Sequence, residues 1–260
     1  MLKETKKIVL LGVIALLILT IIAAFMLAPA KPEVIAIDKN SNIVTDGEYI
    51  FFNDPDGNVM KMHAFDTTPE VWLGGDWRVL SVSDKNLVLQ KDNKSITVFN
   101  REEKGIEETY NVKTDTAYCT DGAVYYKDSK TDYIMQIDRK TKEEAVFFNH
   151  AVNDFVIFDN KLFIAQAEKD KGIAMFDYSA GTAAMYMPGK NIKKLAVADN
   201  LIAYTASKGK VRRYIPSNGD DVKVKKVKAD GLCLSKGIYF YVEKTFGGYK
   251  LGMNTKDEFR

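Results

Sequence analysis

Short apolar runs and polar turns alternate along residues 33–260, and the alternation repeats at a nearly fixed interval. Each copy begins with an Asp, or in the last copy a Ser, at a turn that contains Gly or Asn. These marker residues lie 36 to 40 positions apart, at Asp46, Asp84, Asp121, Asp159, Asp199 and Ser235. A period in this range indicates one supersecondary unit that has been copied six times.

Each copy has room for four short strands. In the first copy, the apolar run 49–52 follows the turn, and the segments 59–62 and 70–73 come after two further turns. A short apolar segment also precedes each marker turn, as at 155–158 in the fourth copy. Runs of four or five β-branched and aromatic residues between turn residues predict strands. Four antiparallel strands in about 38 residues form one blade of a β-propeller.

The two ends of the repeat region complement each other. The sixth copy has three predicted strands and lacks a fourth, whereas residues 33–37 precede the first copy and resemble the fourth strand at 70–73. We expect residues 33–37 to pair with residues 249–253, which removes an open sheet edge. The predicted fold is therefore an all-β, six-bladed β-propeller of four-stranded antiparallel blades, closed by an N-terminal strand. An open β-solenoid is the alternative, and the complementary ends favour the closed ring.

The segment that precedes the repeats predicts a membrane anchor. Residues 8–28 lack charge, and at ~1.5 Å per residue they span about the hydrocarbon thickness of a bilayer as one transmembrane helix. Residues 1–7 form a basic tail, which favours the cytoplasmic side, and 29–32 a short linker to the propeller at 33–260. This arrangement predicts a single-pass cell-membrane protein with an extracytoplasmic propeller. A signal peptide cleaved after Ala30 is the alternative.

Two cysteines fit this location as free thiols. Cys119 and Cys233 fall in the predicted innermost strands of blades three and six, which face each other across a six-bladed ring. A disulfide requires Cα atoms within about 7 Å. We therefore expect both cysteines to be small, buried core residues.

Charge is nearly balanced overall, at +2, but it is unevenly distributed. Residues 33–77 hold nine acidic and two basic residues, and residues 190–228 hold eleven basic and three acidic ones. In a propeller this gives an acidic wedge and a basic wedge. The basic wedge is either a solvated rim or a docking surface for an anionic lipid, envelope polymer or protein. The predicted electrostatic patch consists of Lys193, Lys194, Lys208, Lys210, Arg212 and Arg213. No nucleic-acid-binding motif is present.

Two of the copies share a local motif. Phe-Phe-Asn-Asp at 51–54 and Tyr-Tyr-Lys-Asp at 125–128 are each followed by an alternating strand. They resemble the aromatic-aromatic-x-Asp motif of YWTD-type six-bladed propellers, in the diverged form of exported, membrane-anchored bacterial proteins. The resemblance covers residues 33–260, although blades two, four and five lack the acidic residue. It implies the fold and binding behaviour, and it implies no catalytic residue because the motif positions are structural.

Candidate metal and cofactor chemistry is sparse. The chain has two histidines, His63 and His150, and no zinc-ligand spacing or phosphate-binding glycine loop. Residues 54–58 resemble the start of a calcium loop, but the downstream Glu is missing, so a tight turn explains them better. We expect no metal and no cofactor.

A binding site is expected at the mouth of the central channel, where the links from each fourth strand to the next first strand meet. The candidate residues are Asp76, Trp77, Arg78, Lys113, Asp115, His150, Asn153, Asp154, Lys193, Lys228 and Asp230. Trp77 beside Arg78 is the best candidate anchor, because Trp and Arg are enriched in binding hot spots. In the alternative, Trp77 packs between blades and Arg78 pairs with Asp76.

Two functions remain open from the sequence. The first is a non-enzymatic binding or scaffold module for a protein, peptide or cell-envelope polymer, either alone or as a subunit of a larger membrane assembly. The second is a lyase or hydrolase with its site at the channel mouth, where His150, Asp154, Arg78 and Asp115 would supply acid–base chemistry. Converging carboxylates and His150 in a deep pocket would favour the enzyme. A plugged channel below a broad charged face would favour docking.

Overall fold

The computed structural model describes residues 34–168, 172–178, 180–186, 191–198, 201–206, 209–228 and 231–255 of the 260-residue chain. These residues form six antiparallel sheets in chain order, five of four strands and one of three. Blade 1 contains β1 (Val44–Thr45), β2 (Tyr49–Asn53), β3 (Val59–His63) and β4 (Glu70–Leu73). Blade 2 contains β5 (Arg78–Val82), β6 (Asn86–Lys91), β7 (Ser95–Asn100) and β8 (Gly105–Tyr110).

Blades 3 to 6 repeat this arrangement. Blade 3 contains β9 (Ala117–Cys119), β10 (Ala123–Lys127), β11 (Ile134–Asp138) and β12 (Glu144–Phe148). Blade 4 contains β13 (Val152–Phe158), β14 (Lys161–Gln166), β15 (Ile173–Asp177) and β16 (Thr182–Tyr186). Blade 5 contains β17 (Lys194–Ala198), β18 (Leu201–Thr205), β19 (Lys210–Ile215) and β20 (Asp220–Lys228). Blade 6 contains β21 (Leu232–Ser235), β22 (Ile238–Thr245) and β23 (Gly248–Thr255).

Residues 35–37 supply the outer strand of blade 6. Ala36 lies opposite Lys250 in an antiparallel bridge. The Ile37 N–H donates to the Tyr249 carbonyl at 3.2 Å, and the Leu251 N–H donates to the Ile35 carbonyl at 2.9 Å. The expected pairing of the N-terminal strand with the last strand is therefore confirmed for residues 35–37, and residue 33 lies outside the described residues.

The core of the described residues consists of six apolar clusters, and each lies between two neighbouring blades. One of them joins Phe52 of blade 1 to Cys233 and Phe240 of blade 6, and it also includes Ile37 of the closing strand. Contact between the first and last blades closes the ring, which the open solenoid would not do. Burying one large apolar side chain stabilises a fold by about 1.5–3 kcal/mol, so these six interfaces hold the blades together.

Exposure increases outward through each blade. The second strands are almost continuously buried, as in β2 and β6, because other blades cover both faces. The fourth strands are mostly exposed, as in β4 and β12. The first strands of neighbouring blades contact one another, for example β1 with β5 and β21, so they surround the central axis. Cys119 and Cys233 lie on two of these inner strands, buried and with free thiols.

Antiparallel order gives the ring two distinct ends. The mouth end carries the links from fourth to first strands and the turns between second and third strands. The opposite end carries the turns between first and second strands, where the Asp-Gly and Asp-Asn markers lie. Asp159 and Asn160 both have positive φ, at 48° and 55°, as a two-residue type I′ hairpin turn requires. Asp46 caps its turn by accepting the N–H groups of Glu48 and Tyr49.

The predicted anchor at 1–7, 8–28 and 29–32 lies outside the described residues. Within the part of the chain that the structure describes, no helix is long and apolar enough to cross a membrane.

Candidate functional site at the channel mouth

Side chains in the last two positions of three second strands position the channel mouth. The Asn53 amide donates to the Trp77 carbonyl at 2.5 Å and accepts the Val79 N–H at 2.9 Å. One repeat later, the Gln90 amide donates to the Thr114 carbonyl at 2.5 Å. We call Asn53, Gln90 and Lys127 the bridging residues, because each extends from its own blade to the backbone that begins the next blade.

Lys127 is the third bridging residue and the one that carries charge. Its ammonium lies 3.4 Å from the Asn153 carbonyl of blade 4 and 3.1 Å from the Asp115 carboxylate. The bridging residues recur every 37 positions, and in each case the bridged backbone lies at or next to candidate site residues. The same repeat that builds the blades therefore fixes the geometry of the mouth.

Asp115 lies among three cations contributed by three blades. Burial raises the pKa of its carboxyl, but Lys127, Lys194 and Arg78 together outweigh burial and hold that pKa below its usual range. The Asp115 carboxylate therefore remains ionised near neutral pH. A carboxylate that several cations stabilise in its ionised form has a structural role and does not act as a proton donor.

Asp154 is the most buried charged side chain of the mouth, at 5% exposure. It accepts the Leu195 N–H at 2.9 Å, lies 3.5 Å from the Lys194 ammonium and contacts the Thr116 hydroxyl at 3.3 Å. These contacts join blades 3, 4 and 5. A carboxylate with this set of donors is satisfied where it lies.

Arg78 completes the charged cluster from blade 2. Burial lowers the pKa of its guanidinium, while Asp115 and Asp38 act in the opposite direction. Its Nε is buried and has no hydrogen-bond partner among the described residues. The charges that face Arg78 are thus Asp115 and Asp38, and the structure gives no ion pair between Arg78 and Asp76 within the described part of the chain.

Trp77 is half-buried between blades 1 and 2. Its ring packs edge-on against Phe99, with 5.2 Å between centroids, and belongs to the apolar cluster that joins those blades. The Lys91 ammonium lies 5.0 Å from the ring centroid. These contacts correspond to the interblade alternative for Trp77, and they leave only part of its surface at the mouth.

The other candidates lie around this cluster. The Asn153 amide donates to the Ile192 carbonyl of blade 5 at 2.8 Å, so it joins two blades. His150 is exposed at the rim, where its ring contacts Phe148 at 5.5 Å and its Nδ1 lies 3.6 Å from Glu168. The remaining candidates are Asp76, Lys113 and Lys193, which are exposed, Lys228, at the end of β20, and Asp230, which lies outside the described residues.

The predicted electrostatic patch divides into exposed and paired members. Lys193 and Lys210 are exposed at the mouth end. Arg212 forms a bidentate pair with Asp221, with Nε–Oδ1 and Nη2–Oδ2 distances of 3.0 Å each, and Lys194 contacts Asp154. Arg213 is half-buried beside blade 6 and Lys208 lies outside the described residues. The exposed positive charge of the patch is therefore smaller than the sequence suggests.

Sequence reasoning missed the bridging residues. Asn42, in the link that precedes blade 1, also joins two blades, because its amide donates to the Val79 carbonyl at 3.0 Å. The missed signal was position: polar Asn53, Gln90 and Lys127 lie at or next to the end of a largely apolar second strand, one repeat period apart. A polar residue that recurs at the repeat period on a buried strand requires a partner, and the next blade is its neighbour.

The mouth is thus a plug of compensated charges. Two of its carboxylates, Asp115 and Asp154, are held by cations and hydrogen-bond donors. His150 lies away from them, at the rim. Among the described residues, no group of three or more His, Cys, Asp or Glu side chains could hold a metal ion.

Comparison with known proteins concerns the fold. No family model matches the chain, and no curated protein matches it. Many solved structures are similar, and three of them are described here. BamB from Moraxella catarrhalis has a TM-score of 0.42 at 12% identity, covering 83% of this chain and 76% of that chain. The computationally designed Ika8 protein has a TM-score of 0.49 at 14% identity, covering 82% and 84% respectively.

The third structure gives the fold class. A chain of the nidogen/laminin complex has a TM-score of 0.56 at 10% identity, covering 76% of this chain and 86% of that chain. Together with six sheets, six interblade clusters and a closing strand, this likeness establishes a six-bladed β-propeller. At such low identity, the likeness concerns the fold alone.

Proposed function

We propose that this chain is a membrane-anchored, extracytoplasmic β-propeller that acts as a non-enzymatic binding or scaffold module. The observation that carries the proposal is the plug at the channel mouth. The Asp115 and Asp154 carboxylates of the plug are paired with cations within the ring, and Asp115 has a depressed pKa. A general acid or base requires a pKa near the working pH and access to substrate, and neither carboxylate offers both.

The uncharged segment 8–28 supports the anchor, because its length matches a bilayer. The motifs at 51–54 and 125–128 support a diverged YWTD-type propeller, since Phe51, Phe52 and Tyr126 supply buried core at the expected strand positions. The proposed location is the cell membrane, with the N-terminus in the cytoplasm. The proposed partner is a protein, a peptide or an anionic envelope polymer.

The exposed lysines at the mouth end are the proposed contact for an anionic partner. Lys193 and Lys210 lie beside the plug and have no carboxylate partner among the described residues. Exposed cations attract an anionic surface over about 8–10 Å at physiological ionic strength. The contact should therefore weaken when salt is raised.

A charge-reversal experiment tests the docking surface. The full chain in detergent is titrated with soluble poly-glutamate. We expect Lys193→Glu with Lys210→Glu to weaken binding severalfold, and Lys104→Glu with Lys140→Glu, at the opposite end, to leave it unchanged. Binding that is insensitive both to salt and to the mouth-end reversals would overturn the docking proposal.

The anchor is tested separately by N-terminal sequencing and alkaline extraction of membranes. An intact N-terminus in the membrane fraction is expected. A mature chain that starts at Lys31 would remove the anchor while leaving the propeller and its docking surface in place.

A further inference from the structure

A groove of about 530 Å³ lies at the circumference of the ring, between blades 2 and 3. The outer strand β8 and the following Val112 form one side, and Ile137, Lys142 and Glu144 of blade 3 form the other. Its volume falls within the usual range of ligand sites. The groove is distinct from the candidate site at the channel mouth, because none of the candidate mouth residues lines it.

A cation already occupies this groove. The Lys142 ammonium lies 3.3 Å from the Glu108 carboxylate, 3.3 Å from the Tyr110 hydroxyl and 5.3 Å from the centroid of the Tyr110 ring. A carboxylate, a phenol oxygen and an aromatic face are together the groups that recognise an ammonium or guanidinium ion. The groove therefore contains a built cation position, and the occupant is a side chain of the protein itself.

The surroundings hold that position in place. The Tyr110 hydroxyl donates to Glu108, and Arg139 donates to Glu107 at 2.8 Å and to Glu108 at 3.2 Å. Burial raises the pKa of Glu108, but its hydrogen bond with Tyr110 and the charges of Arg139 and Lys142 hold that pKa below its usual range. Glu108 therefore stays ionised, and Tyr110 stays a donor.

Lys142 is a weakly held occupant. Its side chain is 53% exposed, and its backbone has φ of 63°, in the left-handed region that disfavours residues other than Gly. The corresponding turn residues of blades 4 and 5 are Gly181 and Gly219, with φ of 61° and 75°. An exposed ion pair contributes little to stability, so an incoming cation can replace Lys142 at small cost.

Charge in the groove favours such a replacement. Glu107, Glu108 and Glu144 face Arg139 and Lys142, so the charged groups sum to one negative charge, and to two when Lys142 swings out. Glu144 is exposed and accepts the Tyr126 hydroxyl, which fixes its carboxylate at the blade 3 side of the groove.

We propose that the groove between blades 2 and 3 binds a lysine or arginine side chain of a basic peptide segment, and that Lys142 is a built-in competitor for its cation position. The peptide's charged group would take the place of the Lys142 ammonium against Glu108 and Tyr110. Its neighbouring residues would contact Glu144 and the apolar side chains of Val112 and Ile137.

Removing the competitor tests the proposal. An acetylated, amidated tri-lysine peptide is titrated calorimetrically into the full chain in detergent at low salt. Lys142→Ala should bind it about three- to fivefold more tightly than the native chain, the gain expected when an exposed ion pair and a cation–π contact no longer compete. Lys104→Ala is the matched control, because Lys104 is the exposed turn residue of blade 2 with the same left-handed backbone, φ 51°. It should leave the affinity unchanged.

A second pair of variants tests the location. Glu144→Gln should weaken tri-lysine binding about two- to threefold, whereas Glu143→Gln, which removes the same charge next to the groove, should not. Binding to the acidic residues of blade 1 would be indifferent to all four substitutions. Lys142→Gly, which also relieves the backbone conformation, replaces Lys142→Ala if that variant is less stable.

The proposal is overturned by any of three results from the variants, or by one from a control peptide. These are no gain in affinity on removal of Lys142, an equal gain from Lys104→Ala, and equal losses from Glu144→Gln and Glu143→Gln. A tri-glutamate peptide that binds as well as tri-lysine would also overturn it. Each of these results leaves the docking proposal for the mouth end unaffected, because that proposal rests on Lys193 and Lys210.

Discussion

A disulfide between the closing strand and β23 would close the ring covalently. Ala36 and Lys250 face each other in a non-hydrogen-bonded pair, since the flanking bonds run from Ile37 to Tyr249 and from Leu251 to Ile35. The Cα atoms of such a pair lie about 4.5 Å apart, within the range that a disulfide accepts. Ala36→Cys with Lys250→Cys should therefore form a disulfide in the folded protein.

The expected stabilisation is large because the closed loop is long. The bond would link residues near the two ends of the propeller, and the chain-entropy model for a loop of that length gives about 5 kcal/mol at 25 °C. Engineered disulfides usually deliver less than this model predicts, so we expect about 2–4 kcal/mol. For a domain of this size, that corresponds to a rise in Tm of roughly 5–15 °C.

Thermal unfolding of the double-cysteine variant, with and without reductant, measures this effect. Each single-cysteine variant is a control, and Lys250→Cys alone reports the loss of the 3.1 Å ion pair with Glu243. The native thiols should not interfere, because both are buried and burial raises the pKa of Cys119 to about 12, whereas thiolates are the reactive form. A native-state thiol pair that resists mild oxidation, or a disulfide that leaves Tm unchanged, would contradict closure by residues 35–37.

Three further changes probe the interblade contacts and the mouth. Asn53→Ala leaves a carbonyl and an N–H of blade 2 without their partner, so denaturant unfolding should show a loss of about 2–4 kcal/mol; a loss below about 1 kcal/mol would contradict the bridging role. Gly252→Ala would place a methyl group 2.3 Å from the Tyr241 ring and should cost about 1–3 kcal/mol, whereas Gly247→Ala meets nothing within 4 Å and should be neutral. The Asp115 carboxyl has a pKa below its usual range in the folded state, so its contribution is present above the unfolded pKa of about 3.9 and is lost as pH falls through the folded pKa. Urea midpoints from pH 2 to 7 should show Asp115→Asn less stable than the native chain near neutrality and equal to it at the acid end; a constant difference across that range would refute the assignment.

Most of the fold could be predicted from the repeat period. The nearly constant interval between turn markers placed the blades, and the mismatch between 33–37 and a three-stranded last copy placed the closing strand. The boundaries of β22 and β23 were less predictable. Both strands extend over 8 residues, beyond the apolar runs that marked them, because backbone pairing continues into polar residues once a hairpin has begun.

The mouth was less predictable from the sequence, because a count of charged residues does not show which side chains the pairing of strands brings together. A charge count assigns Arg212 to a basic surface. However, β19 pairs with β20, and this pairing brings the Asp221 carboxylate within 3.0 Å of the Arg212 guanidinium. Lys194 was counted in the same way, although it contacts Asp154 on the neighbouring inner strand. Pairing between groups one repeat apart follows from the repeat geometry and not from local sequence. No single segment of the sequence predicts the groove between blades 2 and 3 either, because residues of both blades form it.

All six apolar clusters lie between blades, and the cluster that joins the first blade to the last includes Ile35 and Ile37. During synthesis these two isoleucines leave the ribosome long before their partners at 249–251, which belong to the last blade. Their pairing is thus among the most nonlocal contacts of the chain, and nonlocal pairing slows folding. Until it forms, blade 1 and the unfinished blade 6 each expose an apolar face. Nascent chains are therefore expected to depend on chaperone protection up to the last blade, and truncation within blade 6 should be as damaging as loss of the first strand.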